Sequence, residues 1–259
     1  LRRAPLDFAR LFDSEGAGAP IAADVSYRDL AVELGSAERA RIEAQYEGEI
    51  AELTHLLGGF LDYLHYVGGP TDTWSKTLLV FAGLGGEALP TRNSSELGSR
   101  LEPSDAVLHV PLFLRHHDSL TGRRIFAPLV TLEDLYPTLL EWFGLPLPEA
   151  ASGASLLSLT DEWRERAFPA RSLLAVASAG GGQVGAVSLR TQAERLTLWP
   201  ASGSEAPRAV LHTLGRDPRG YLDLVSNDTE RMSSLREDLR RRLSELELAP
   251  AMRGGAWFE

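Results

Sequence analysis

Thr77-Leu78-Leu79-Val80-Phe81-Ala82-Gly83-Leu84-Gly85-Gly86-Glu87 is the stretch whose reading decides the fold class. From Thr77 to Ala82 the chain carries no charge, and it then passes into glycine. A short apolar run bounded by turn residues predicts a strand covered on both faces, and such strands belong to parallel sheets flanked by helices. A second run, Val107-Leu108-His109-Val110-Pro111-Leu112-Phe113-Leu114, predicts a second strand. Pro111 has no N–H to give to a ladder and marks an irregularity or an edge there.

Helices flank these runs. Ser36 is a predicted N-cap with Glu38 in the first turn. Ile42, Tyr46, Ile50, Leu53, Leu57, Phe60, Leu61 and Leu64 recur at helical spacing, which predicts one apolar stripe facing a core. Gly68-Gly69-Pro70 ends that helix. Thr131 opens another that reaches Phe143, with Asp134 at capping-box distance and Pro137 one turn in. Gly144 closes it, and Pro146 and Pro148 follow.

After Phe168 the pattern changes. Residues 172–178, 184–190, 195–199 and 209–214 read as short strands of an antiparallel meander, with Gly180-Gly181-Gly182 at the first turn. A last helix, 229–246, places Met232, Leu235, Leu239, Leu243 and Leu246 on one face. The expected organisation is an arm over residues 1–35, an α/β domain over 36–165, and an antiparallel-sheet subdomain with a terminal helix over 166–259. The α/β part shows only two strong strands, which is few for a free-standing sheet. Strands from elsewhere are therefore expected to complete it.

Composition excludes several classes. The 259 residues are 44% hydrophobic and 24% charged, which is ordinary for a chain with a packed core. A net charge of -10 and the lack of a basic stripe outside residues 236–242 argue against a nucleic-acid partner. Cysteine is absent, so these residues hold no disulfide, thiolate ligand or cysteine nucleophile. No segment has the ~18 uninterrupted apolar residues of a membrane span. Leu1 to Phe8 lacks the apolar run of a signal peptide.

Several segments taken together resemble the sulfatase family of the alkaline-phosphatase-like superfamily. They are Tyr46-Glu47-Gly48-Glu49-Ile50-Ala51 with its helix, Thr77 to Phe81, and His109-Val110-Pro111-Leu112. Residues 127–140, APLVTLEDLYPTLL, continue the likeness, as do Gly144-Leu145-Pro146-Leu147-Pro148 and Gly153-Ala154-Ser155-Leu156-Leu157. The order holds from about residue 5 to 160. The resemblance implies the later part of a mixed α/β sheet with flanking helices, plus a small C-terminal antiparallel sheet and helix. It also implies that the nucleophile and the first acidic metal ligands belong to an earlier part of the fold with no counterpart in these residues.

In that family an Asp and a neighbouring His or Asn at the end of the first strand ligate a divalent cation. Leu84 and Gly85 occupy those positions here, and neither offers a donor. Glu87 keeps a trailing acid. A family His that contacts the sulfate group falls at Ser99, followed by Arg100, which can bind an anion. His109 stands where the family often has Arg. Arg100 and His109 are thus the candidate binding residues, and no metal ligand or catalytic residue is assigned.

The resemblance with these losses implies a protein that has lost hydrolase activity, serving as a structural or binding subunit with protein partners or with the earlier part of the fold. A membrane-associated, extracytoplasmic assembly without cofactors is the matching expectation. The alternative is a metal-dependent sulfuric or phosphoric ester hydrolase with Ca²⁺ or Mg²⁺ in a rebuilt site. Glu87, Glu96, Asp105, His109 or His116 would then be substitute ligands. A third reading, a sugar-binding module, would use Trp163, Trp199 and Tyr221 as stacking platforms.

Overall fold

The computed structural model describes residues 8, 10–12, 35–68, 73–89, 103–120, 128–160, 168–180, 183–201, 206–215 and 229–245. The chain forms two compact units, Leu1–Ser99 with Ala106–Thr121, and Arg100–Asp105 with Gly122–Glu259.

In the first unit, helix α1 spans Ser36–Gly68, as the cap and the glycine stop predict. Glu38 reaches back to accept the Gly35 N–H at 2.9 Å, which ties down one end-turn donor. Gly68 leaves no room for a side chain, because a Cβ there would meet the Trp74 backbone nitrogen at 2.8 Å. The predicted apolar stripe is only partly covered. Ile42 is buried, whereas Ile50, Leu53 and Phe60 are about half exposed.

Strand β1 is Leu79–Ala82, and it pairs with β2, Leu112–Arg115, antiparallel, with Leu79 opposite Arg115 and Ala82 opposite Leu112. The expected parallel pairing is therefore corrected. All four β1 residues are half-buried, and an apolar run specifies cover but not the direction of its neighbour. The second run is also shorter than predicted. Asp105–Leu108 forms one helical turn, α2, and extended backbone through Pro111 precedes β2. Val110 donates to the Leu108 carbonyl at 3.1 Å rather than to a ladder. Without an N–H, Pro111 cannot donate to a ladder either.

In the second unit, a 3₁₀ turn over Leu132–Asp134 leads into α3, Leu135–Trp142. The capping carboxylate is in place, with the Thr131 N–H donating to Asp134 Oδ2 at 2.7 Å. The helix ends where glycine was expected. Gly144 has φ +64°, its N–H donates to the Glu141 carbonyl at 3.0 Å, and Leu145 donates to Leu140 at 2.8 Å. That crossed pair is the Schellman arrangement, which satisfies the last carbonyls through a left-handed residue.

The meander is as predicted. Strands β3 (Leu173–Gly180), β4 (Gln183–Arg190), β5 (Glu194–Trp199) and β6 (Arg208–Thr213) lie side by side in chain order. Register places Val187 and Leu189 of β4 opposite Leu198 and Leu196 of β5, with Leu211 beyond Leu196. One face is therefore continuous hydrocarbon. Helix α4, Thr229–Glu245, covers it with Met232, Leu235, Leu239 and Leu243. Each such leucine contributes about 1.5–3 kcal/mol of transfer free energy. Ser172 Oγ donates to Asp238 Oδ2 at 3.0 Å, joining the approach to β3 to the same helix.

Candidate functional site

The position implied for a cation ligand pair lies just past the C-terminal end of β1. Two backbone hydrogen bonds hold it against the segment before β2: Gly83 N–H to Pro111 O at 2.8 Å, and Gly86 N–H to Val107 O at 2.7 Å. Gly86 is required there, since a Cβ would fall 2.1 Å from the Ala106 carbonyl oxygen. Between these two anchors Leu84 projects into solvent with 94% of its surface exposed. A Cβ on Gly85 would meet nothing within 4 Å. The turn thus keeps a rigid frame and presents its two central positions outward, but it presents no donor atom. Hydrocarbon and hydrogen cannot ligate a hard cation, which takes oxygen ligands.

The other candidates are dispersed. His109 is exposed, between α2 and β2. Arg100, Ser99 and Glu96 lie outside the described residues, as do Trp163 and Tyr221. Trp199 has the Arg208 guanidinium over its ring, 4.2 Å from the centroid, so that ring face already has a partner. His116, His117 and Asp118 form a turn. Ser119 N–H donates to His116 Nδ1 at 3.3 Å, and His117 Nδ1 lies 2.7 Å from Asp118 Oδ1. The hydrogen bond from His117 comes first among the causes that hold the Asp118 carboxyl below its usual value. Among the described residues, no group of three His, Asp or Glu side chains gathers as a metal site would.

Asp105 is committed elsewhere. Its carboxylate takes Arg195 Nη1 on Oδ1 at 3.0 Å and Arg190 Nε on Oδ2 at 3.3 Å. Arg195 Nη2 in turn lies 3.3 Å from His212 Nδ1. Register explains the grouping: Arg190, Arg195 and His212 are cross-strand neighbours on β4, β5 and β6. They share the face opposite the leucine core with Ser188 and Thr197, and Ser188, Arg195, Thr197 and His212 are all buried. Sequence reading did not find this cluster. Alternation marks the residues as one face of a sheet, and a polar face ordinarily meets water.

A second buried ion pair organises the region after α3. Asp134 is fully buried. Arg171 approaches both of its oxygens, with Nη1 2.9 Å from Oδ1 and Nη2 on Oδ2. Ala154 N–H donates to Oδ1 at 2.7 Å, and Arg171 Nε donates to the Leu129 carbonyl at 2.9 Å. Burial alone would raise the Asp134 carboxyl. The Arg171 fork and the Thr131 and Ala154 N–H groups more than offset that and hold it below its usual value. Thr138 Oγ1 donates to the Asp134 carbonyl and accepts from Leu156 N–H at 2.8 Å, closing the same junction. Gly153, at φ +89°, passes so close that a Cβ would sit 2.6 Å from the Glu133 carbonyl oxygen. Both Asp134 oxygens are taken by donors of the chain itself, so the network holds the fold together.

No protein-family model matches the chain. It is 33% identical over 125 residues to human arylsulfatase K, a match that takes in 48% of this chain and 22% of that protein. It is 24% identical over 212 residues to an arylsulfatase of Clostridium perfringens, covering 78% of this chain and 40% of that protein. Among solved structures, a sulfatase from a glycosaminoglycan-metabolism locus of Bacteroides thetaiotaomicron superposes with a TM-score of 0.70 at 18% identity, over 93% of this chain and 50% of that one. The chain therefore spans less than half the length of the curated relatives it matches.

Proposed function

We propose that this chain, which carries the later part of a sulfatase-type fold of the alkaline-phosphatase-like superfamily, has lost ester hydrolysis and serves as a structural or binding subunit of a larger assembly. The observation that carries the reading is the turn after β1. Its backbone frame is kept by Gly83 and Gly86, while its outward positions are an exposed leucine and a glycine. Sulfate-ester cleavage needs a cation to offset charge on the nucleophile and on the transferring group. A turn held by two backbone hydrogen bonds yet offering no donor fits selection for the fold rather than for the reaction. Asp105, one of the acids that could substitute, is neutralised by two guanidinium groups and is a poor ligand.

On this reading the partners are protein, no cofactor is needed, and no nucleic acid is involved. The assembly is extracytoplasmic and membrane-associated, on the strength of the family likeness alone. Among the described residues, no helix is long and apolar enough to cross a membrane.

A second reading is favoured by the lengths matched. Because the chain spans 22% and 40% of two arylsulfatases, a nucleophile and other acidic ligands would fall in the rest of the fold. The protein would then be a Ca²⁺- or Mg²⁺-dependent sulfuric or phosphoric ester hydrolase, with Arg100 and His109 as anion contacts. Turnover of 4-nitrocatechol sulfate and of p-nitrophenyl phosphate by the purified native protein, with each cation added, separates the two. No turnover above the cation-only blank is the expected result. Cation-dependent turnover that follows the protein through purification would establish the second reading instead.

A further inference from the structure

Arg195 and His212 form a buried polar pair on the face of the meander opposite the leucine core. Arg195 is 3% exposed and His212 6%. They are direct cross-strand neighbours on β5 and β6, and Arg195 Nη2 lies 3.3 Å from His212 Nδ1. A guanidinium carries donors only and keeps its proton in a protein. A hydrogen bond between these atoms therefore needs a bare lone pair on Nδ1, which makes the ring neutral with its hydrogen on Nε2. The other end of the same guanidinium holds Asp105, with Nη1 3.0 Å from Oδ1. Arg195 Nε has no hydrogen-bond partner among the described residues, so the two Nη groups hold the fork.

Charge decides what a second proton on the ring would do. By register, this face of the sheet carries the cations Arg190, Arg195 and Arg208. Asp105 meets Arg195 and Arg190 and has no charge left over for an imidazolium. Arg208 lies over the Trp199 ring. Glu194, one residue before Arg195, points to the opposite face, where Arg231 of α4 pairs with it. We propose that His212, Arg195 and Asp105 form an acid-sensitive latch, in which the neutral ring fixes the guanidinium and the guanidinium fixes Asp105 against the meander. A proton on Nδ1 sets donor against donor and cation against cation, away from water. The guanidinium must then turn away, and its hold on Asp105, the first residue of α2, goes with it. A ring kept neutral by the latch resists protonation below the ordinary value of about 6.5. The latch is therefore at full strength above that value and weakens as the pH falls through it. Where the latched ring stays neutral, the unlatched form becomes about thirtyfold more populated at pH 5 than at pH 8. The proposal holds whether or not the protein turns over an ester.

The test is hydrogen–deuterium exchange of the native protein and of a His212→Asn variant, read by mass spectrometry at pH 8 and pH 5. Asn Oδ1 stands where Nδ1 does and accepts from Arg195 without titrating. The peptide spanning Asp105 is expected to exchange at the same rate in both at pH 8. At pH 5 it is expected to exchange about tenfold or more faster in the wild type. Equal rates at pH 5 would overturn the proposal. Nitrogen NMR of the wild type labelled in its histidine rings decides the matter even where the variant does not fold. His212 is expected to show a bare Nδ1 at pH 7 and to titrate below about 6.5. A hydrogen on Nδ1 at pH 7, or a midpoint above about 6.5, would overturn the proposal as well.

Discussion

Replacing Asp134 by Asn tests the account of the second unit at its most demanding point. The carboxylate is fully buried, and it faces an Arg171 side chain that is only 16% exposed. Asn has nearly the same shape but no charge. One end of it can still accept from Ala154 or Thr131, while the other turns N–H groups toward donors. The substitution therefore leaves a largely desolvated guanidinium without its counter-charge. Breaking a buried pair from one side costs about 3–5 kcal/mol. With an m-value of about 3 kcal/mol/M in urea, the midpoint falls by roughly 1–1.7 M.

The assay is urea unfolding at pH 7 followed by circular dichroism, repeated at lower pH. The Asp134 carboxyl is held below the ordinary carboxylate value of 3.8 in the folded state. Its charge therefore stabilises the protein above that value, and the contribution is lost as the pH falls below 3.8 toward the lower folded value. The gap between wild type and Asp134→Asn is expected to be full at pH 7 and to narrow below pH 3.8. A loss under 1 kcal/mol at pH 7, or a gap unchanged by acid, would refute the assignment of Asp134–Arg171 as the junction's anchor.

Other outcomes follow from the same packing. Gly153→Ala is expected to cost more than Gly144→Ala. Both have positive φ, but only Gly153 has a carbonyl in the way. The dihedral penalty is about 1–2 kcal/mol in each, so equal losses in thermal or urea unfolding would contradict the close approach at Glu133. Leu239→Ala removes a fully buried side chain from the β4–β6 core and is expected to cost about 2–5 kcal/mol. A change below 1 kcal/mol would mean that α4 does not seal that face.

Much of the second unit was legible because its signals are local. The alternation in residues 184–190, 195–199 and 209–214, the three-and-four spacing from Met232 to Leu243, and the Thr131, Asp134 and Gly144 positions each act within a few residues. The structure repeats them as β4, β5, β6, α4 and the two ends of α3. What escaped depends on distant partners. Asp134 meets Arg171 at a separation of 37 residues, and nothing near either residue announces it. The polar side of the meander alternates as a solvent-facing side does, yet Ser188, Arg195, Thr197 and His212 are buried.

In the first unit the direction of β1 was not legible, because hydrophobicity carries no polarity of the chain. The stripe on α1 was read as core, and its half-exposed state appears only once the elements around it are placed. At the candidate site, the identities Leu84 and Gly85 could be read directly. That the turn keeps its frame around them could not, because the Gly86 approach to Ala106 joins segments about twenty residues apart.

The measurement closest to the central claim is the metal content of the native protein, by inductively coupled plasma mass spectrometry after dialysis against buffer with free Ca²⁺ and Mg²⁺. A turn presenting Leu84 and Gly85 predicts far less than one equivalent of either cation per chain. One equivalent retained, and released by substituting an acidic residue on the segments beside β1, would contradict the loss of the site and restore the hydrolase reading.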